Sequence, residues 1–318
     1  MLETIAWAEP TTALFSAADR RLLADGTRVN GKVCLITGGT DGIGKAAAYG
    51  LAVQGARLLV HGRDPDKGAR AVADLKARSG NQAIEFLPAD FSSLEEVRRL
   101  AAAIIERAPR IDALVNNAGA IYMKRAVSKD GYEKTFAVNH LAPFLLTHLL
   151  LDALKAGGQS RVVTTASNAH RRAKIPFDDL QLTRQYSPMG AYAISKLANI
   201  LFTRALAKRL QDDTHVTATC LHPGFVRTNF GGNNAADMSP WMGRIFSFIS
   251  RFARTPEKGA ETVIYLASSP EVEGASGGYY FDRKPIRPTA AGEDDNAAER
   301  LWQVSEQLVG IAGAVPAR

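Results

Sequence analysis

The junction between VCLIT at residues 33–37 and TGGTDGIGKAAA, which follows directly, constrains the chain more than any other stretch. A short run that is apolar on both faces must be covered on both sides, which is the situation of a strand inside a parallel sheet. Gly38, Gly42 and Gly44 then separate that strand from a helical pattern. Without side chains there, backbone N–H groups at the positive helix terminus can approach an anionic phosphate. A tight turn alone needs glycine for steric reasons. Its place on the first strand-to-helix turn is what makes the nucleotide reading the better one.

The same alternation recurs to the end of the chain. Apolar runs at 56–61, 83–88, 112–116, 161–167, 215–222 and 278–281 read as strands. Helical patterns lie between them at 43–54, 66–78, 92–107, 139–156, 190–210 and 257–268. This rhythm predicts an α/β fold with a doubly wound parallel sheet that binds ligands at the carboxyl ends of its strands. A chain of 318 residues could hold one large domain or two small ones. No repeat or low-complexity linker divides it, so a single domain is expected over 31–285. Residues 1–30 form an N-terminal extension, and 286–318 a tail with a helix at 293–310. That helix begins with acidic residues, carries Leu301, Val304 and Leu308 on one face, and ends at Gly310.

Charge and cysteine usage narrow the function classes. A net charge of +7 favours anionic ligands, yet the Lys and Arg residues are scattered and no basic run is interleaved with aromatics. No nucleic-acid partner is expected. Cys34 and Cys220 both sit in apolar strands, which suits core side chains in a reducing compartment. No apolar run reaches the roughly 20 residues of a membrane span, and the first residues lack a signal-peptide pattern. The expectation is a cytoplasmic protein. His61, His140, His148, His170, His215 and His222 show no metal-ligand spacing, so no metal is assigned.

The stretch MGAYAISKLAN at 189–199 places Tyr192 and Lys196 four positions apart, on one helix face. A phenol beside an ammonium suits proton exchange with an alcohol or carbonyl oxygen. Such a pair also arises by chance, with a Tyr packed under a Lys stem.

Taken together, these features resemble the short-chain dehydrogenase/reductase family. Its T-G-x-x-x-G-x-G turn is matched by Thr37 through Gly44. In order there follow Asp90 after the third strand, NNAG at 116–119, VNH at 138–140, Ser167 after the fifth strand, Tyr192 with Lys196, and HPGFVRT at 222–228. The resemblance covers roughly 31–285 and implies a Rossmann-type fold and a nicotinamide cofactor. It implies that Tyr192 is the general acid/base, that Lys196 holds the nicotinamide ribose and lowers the Tyr192 pKa, and that Ser167 bonds the reacting oxygen. Asn139 would anchor a water that relays protons. The cofactor contacts implied are Gly38, Thr40, Asp41, Gly42, Ile43 and Gly44 in the turn, then Arg63, Asp90, Phe91, Asn117, Ala118 and Gly119. Tyr192, Lys196, Pro223, Gly224, Val226 and Thr228 complete them.

Cofactor choice rests on the end of the second strand. Gly62 stands where relatives using NAD tend to carry Asp, and Arg63 follows, so NADP is favoured over NAD. Asp41 and Asp64 make the local charge mixed. The 25-residue gap from Ser167 to Tyr192, KLAN after Tyr192, and the C-terminal RLWQVSEQLVG are similar to the retinol dehydrogenase group, which implies a lipophilic alcohol or carbonyl substrate. The apolar segment 233–252, with Trp241, Phe246 and Phe248, is expected to cover that substrate or to pack in the core. Two other functions remain open: a catalytically silent nucleotide sensor or scaffold on the same fold, and a sugar-nucleotide epimerase or dehydratase. A homo-oligomer through the helices at 92–155 and 190–210 is possible, unless the terminal helix covers them.

Overall fold

The computed structural model describes residues 29–212, 215–226 and 253–311. Thr228, the segment 233–252 and most of the N-terminal extension lie outside the described residues.

Eight strands form one sheet in the order β3-β2-β1-β4-β5-β6-β7-β8. They are β1 (Val33–Thr37), β2 (Arg57–Gly62), β3 (Ile84–Pro88), β4 (Ala113–Asn116), β5 (Ser160–Thr165), β6 (Val216–Leu221), β7 (Tyr279–Phe281) and β8 (Lys284–Ile286). The first seven run parallel, and β8 pairs antiparallel with β7 at the edge. From β1 the chain winds outward to β2 and β3, then returns to β4 on the other side. The reversal opens a crevice between β1 and β4 at the carboxyl edge, where this architecture takes its ligands.

Each face of the sheet is covered, as the two-sided apolar strands require. On one face, Cys34, Ile36, Leu58, Val60 and Val115 pack with residues of α1 (Gly42–Val53), α2 (Pro65–Ser79) and α8 (Pro256–Ser268). On the other, Leu35, Leu59, Leu114 and Val162 meet α3 (Leu94–Arg107), the helical stretch 134–156, α7 (Pro188–Arg209) and α9 (Asp295–Val309). Caps explain where the helices start. Asp41, Asp64, Ser93, Ser187, Thr255 and Asp294 each accept a backbone N–H of the first turn.

The helix expected at 139–156 begins earlier and is broken. It consists of α4 (Lys134–Phe136), a π turn (Ala137–Leu141), α5 (Ala142–Leu149) and α6 (Leu151–Ala156). Pro143 supplies the reason. It has no N–H to give the Asn139 carbonyl four residues back, and its ring would clash there, so the helix widens to a π register.

The terminal helix is part of the main core. Leu301, Trp302 and Val309 are buried in it, and α9 lies against α7 and α5. Trp302 stacks on Phe202 at 6.0 Å between ring centres and takes the Arg209 guanidinium over its ring at 4.2 Å. Arg209 also bonds Glu299 at 2.9 Å. Thus α9 occupies part of the 190–210 surface through which a homo-oligomer was considered.

Candidate active site

The carboxyl edge gathers nearly all the residues singled out in the sequence. Thr37 at the end of β1 organises the crevice: its hydroxyl donates to the Val115 carbonyl at 3.2 Å and accepts the Asn117 and Ala118 N–H groups at 3.0 Å each. Asn117 returns the tie, its amide donating to the Thr37 carbonyl at 3.0 Å. The glycine turn is therefore stapled to the NNAG loop before any ligand arrives. A Cβ on Gly44 would lie 2.2 Å from the Gly38 carbonyl, and one on Gly38 would lie 2.9 Å from Ala118 Cα. Gly38 and Gly42 also take φ of 65° and 51°, the left-handed region that favours glycine. Thr40 and Ile43 are half-buried beside them. These observations suit a cradle for a dinucleotide phosphate at the start of α1.

His61 had no role in the sequence reading beyond its strand. It is buried, with Nδ1 3.4 Å from the Gly38 nitrogen and Nε2 3.0 Å from the Ala89 carbonyl. Phe91 stacks on it at 4.2 Å. Burial pushes His61 down to about 4, so it stays neutral, accepts from Gly38 and donates to Ala89. Its neighbour Asp90 accepts from the Ser92 N–H and hydroxyl at 2.9 and 2.8 Å. Burial works to raise the Asp90 pKa, but those bonds prevail and hold it below the ordinary value.

Arg63 is exposed just past β2 and forms no ion pair among the described residues. The carboxylates around it are engaged elsewhere. Asp41 caps α1 through Gly42 at 2.7 Å and pairs with Lys67 at 2.6 Å. Asp64 caps α2 through the Lys67 N–H at 3.0 Å.

Ser167, Tyr192 and Lys196 lie across the crevice. Ser167 follows β5 and starts a short 3₁₀ helix, and its side chain hydrogen-bonds Tyr192 of α7. Burial pushes the Tyr192 phenol up to about 12, with the Ser167 bond working the other way. The Lys196 ammonium stands over the Tyr192 ring, 5.6 Å from its centre, and donates to the Thr165 carbonyl at 2.9 Å. The resemblance implies that Lys196 lowers the Tyr192 pKa; in this arrangement the ammonium faces the ring and burial dominates.

Lys196 is itself 2% exposed, and burial lowers its pKa to about 8. The Thr165 bond is its one hydrogen bond among the described residues, so two of its three donors remain for a ligand. A Cβ on Gly119 would lie 3.4 Å from Lys196 Nζ and 3.4 Å from Asn139 Oδ1, which puts the NNAG loop directly over both.

Asn139, in the π turn, is fully engaged. Its Oδ1 accepts from the Ala120 N–H at 2.7 Å, and Nδ2 donates to the Ala120 carbonyl at 2.9 Å and Ser195 Oγ at 3.0 Å. Its side chain thus pins the NNAG loop to α7. Beyond β6, His222 Nδ1 accepts from the Gly224 N–H at 3.2 Å. Its ring stacks on Phe281 at 4.3 Å. Pro223 and Gly224 are shaped by that bond, and Val226 bridges to Arg254. Thr37, His61 and His222 act through what they hold; for Thr37 and His61 only the tertiary pairing shows it.

A buried ammonium with one hydrogen bond destabilises the fold that it serves. Because the folded pKa of Lys196 is depressed, the folded protein holds fewer protons than the unfolded between about pH 8 and 10.5. Its contribution to stability therefore rises with pH across that window. Lys196→Met is expected to raise the unfolding free energy at pH 7 by roughly 1 to 3 kcal/mol. Urea titration checks it, and a less stable variant would contradict the account.

With this geometry in place, comparison with known proteins is decisive. The family model for short chain dehydrogenases matches residues 32–239. The chain belongs to the short-chain dehydrogenase family. Human retinol dehydrogenase 14 is 41% identical over 298 residues, covering 89% of this chain and 88% of that protein. A Streptomyces protein described as a daunorubicin C-13 ketoreductase is also 41% identical, covering 88% and 93%. Among solved structures, an uncharacterised protein from Mycobacterium paratuberculosis superposes with a TM-score of 0.74 at 31% identity, covering 93% of this chain and 98% of that one. The Pseudomonas aeruginosa RhlG/NADP complex superposes at 0.63 with 28% identity, covering 80% and 95%. This short-chain dehydrogenase is an oxidoreductase acting on CH–OH or carbonyl groups, similar to the retinol dehydrogenases. Among its described residues no helix is long and apolar enough to cross a membrane.

Proposed function

We propose that this chain is an NADP-dependent reductase or dehydrogenase of a lipophilic alcohol/carbonyl pair, with Tyr192 as the general acid/base. The observation that carries the reading is the convergence of Ser167, Tyr192 and Lys196 beside the stapled glycine turn. A nicotinamide held between the glycine turn and Lys196 would supply hydride chemistry at the carbon of the alcohol/carbonyl pair. The Tyr192 hydroxyl gives its proton to the carbonyl oxygen, or receives one from the alcohol, while Ser167 hydrogen-bonds the same oxygen. Lys196 offers its remaining donors to the nicotinamide ribose. The Asn139 side chain is occupied, so the relay water belongs on its main-chain carbonyl.

With its pKa near 12, the Tyr192 phenol carries its proton at neutral pH and is set to donate. Reduction should hold its rate through neutrality, and alcohol oxidation should rise with pH. NADP is supported by the exposed Arg63 and by the engagement of Asp41 and Asp64 elsewhere. A lipophilic substrate is supported by the names of the relatives, retinol dehydrogenases and a daunorubicin ketoreductase. Two buried free cysteines accord with a reducing, cytoplasmic setting.

The test is NADPH oxidation against a panel of lipophilic aldehydes and ketones, including retinaldehyde and a polycyclic ketone of the daunorubicin type. Turnover of at least one is expected. Tight cofactor binding with no turnover across the panel would favour the silent sensor or scaffold.

A further inference from the structure

His170 stands in the short 3₁₀ helix that opens the long gap between Ser167 and Tyr192, and it is fully buried. Both of its ring nitrogens face main-chain groups whose roles are fixed. Nδ1 lies 2.7 Å from the Ser167 carbonyl, which can only accept, so the proton is on Nδ1. Nε2 takes the Thr289 N–H at 3.3 Å, which can only donate, so Nε2 is bare. The two contacts are made by different nitrogens and demand the same neutral tautomer. Tyr279 meets the ring edge-on at 5.3 Å between centres, but its hydroxyl is 3.5 Å from Nδ1 and the Ser167 carbonyl is much nearer. Burial keeps the imidazole below its ordinary pKa, which agrees with a neutral ring.

We propose that His170 is a positioning residue for Ser167, and that through it the C-terminal tail sets where the Ser167 hydroxyl stands. The path is directional, from Thr289 N–H to Nε2 and from Nδ1–H to the Ser167 carbonyl. That carbonyl also accepts the His170 N–H at 3.1 Å, and Ser167 Oγ accepts the Ala169 N–H at 3.2 Å. The imidazole therefore closes the turn that carries the serine hydroxyl. In that buried setting an unmade hydrogen bond is costly and a made one holds firmly. Thr289 lies 119 residues away in sequence and precedes the 3₁₀ turn Ala290–Gly292 that leads into α9. A second contact joins the same two segments, the Arg300 guanidinium of α9 lying over the Phe177 ring at 4.2 Å. The wide gap between Ser167 and Tyr192 and the C-terminal tail, two separate features of the sequence, thus meet at His170 and Phe177. What Ser167 does for substrate rests on the function proposed above; the tautomer does not.

Two measurements test this. In the full chain without cofactor, labelled with ¹⁵N-histidine, His170 should carry its proton on Nδ1 and leave Nε2 bare at neutral pH; its signals are identified by their loss in the His170 variants below. The opposite tautomer, or an imidazolium, overturns the proposal. Turnover with the best carbonyl substrate of the panel is then measured beside NADPH dissociation constants. His170→Gln can accept from Thr289 but offers Ser167 no donor, and should lower kcat roughly threefold to tenfold. His170→Asn sets an amide N–H near the Nδ1 position and should recover most of that loss. Thr289→Pro deletes the N–H at a φ of −72°, which a proline ring adopts, and should lower kcat more than Thr289→Ala, which keeps it. NADPH affinity should stay close to that of the wild type throughout, because the path ends at the residue that bonds the substrate oxygen. Equal losses in the Gln and Asn variants, an unchanged kcat in His170→Gln, or NADPH weakening in step with kcat overturns the proposal, and the Thr289 pair decides if the His170 variants do not fold. A wild type that turns over nothing in the panel would instead defeat the functional reading, and the tautomer alone would then decide the path.

Discussion

Tyr192→Phe is expected to lower turnover by roughly 10² to 10⁴, the range of general acid–base catalysis, while leaving cofactor affinity close to that of the wild type. The substitution removes one oxygen from a buried ring whose hydroxyl hydrogen-bonds Ser167. The ring itself stays beneath the Lys196 ammonium. The fold should tolerate it, since the lost hydroxyl contributes only about 1 kcal/mol of net hydrogen bonding. Steady-state rates with the best substrate of the panel, beside NADPH titrations, separate the two effects. Near-normal turnover would mean that another group moves the proton.

Arg63→Ala is expected to weaken NADPH by about one to two decades for each hydrogen bond lost to the 2′-phosphate, and to leave NADH nearly unchanged. The mixed charge evident in the sequence is resolved by the helix caps. Asp41 is paired with Lys67, and Asp64 is folded back onto the start of α2. Neither carboxylate is left to answer the Arg63 guanidinium. Dissociation constants for both nucleotides, in wild type and variant, decide the matter. Equal losses for NADPH and NADH would remove the case for NADP. An acidic switch at the preceding position would be a poor test, because a Cβ on Gly62 would lie 2.6 Å from Thr40 Cγ2.

The doubly wound architecture was legible because its signals are local and repeated. Seven apolar runs became seven parallel strands, each within two residues of its expected bounds at either end, since strands covered on both faces read as near-continuous apolar runs. The eighth escaped notice for the same reason in reverse. Lys284, Pro285 and Ile286 are exposed, too short for periodicity, and contain a proline. Their hairpin turns through Asp282 and Arg283 at φ of 48° and 64°, without the Asn-Gly signature that would announce it. The widening ahead of Pro143 could have been read from its lost N–H, which leaves the Asn139 carbonyl without its helical donor.

At the site, the order of motifs alone indicated which residues stand at the carboxyl ends of which strands, namely the glycine turn, Arg63, Asp90, NNAG and Ser167, and that Tyr192 and Lys196 share a helix face. Tertiary structure decided what each is free to do. Asn139 carries the same letter whether its amide faces water or clamps Ala120 to Ser195, and only the fold selects the clamp. His61 and His140 show no spacing to mark them, because their partners lie 28 and 165 residues away, and His222, though it accepts from Gly224 two residues on, is stacked on the distant Phe281. Their neutrality comes from burial, which no local pattern encodes. Residue order carries short-range geometry; charge state and hydrogen-bond direction follow from which distant groups the sheet and its helices bring together.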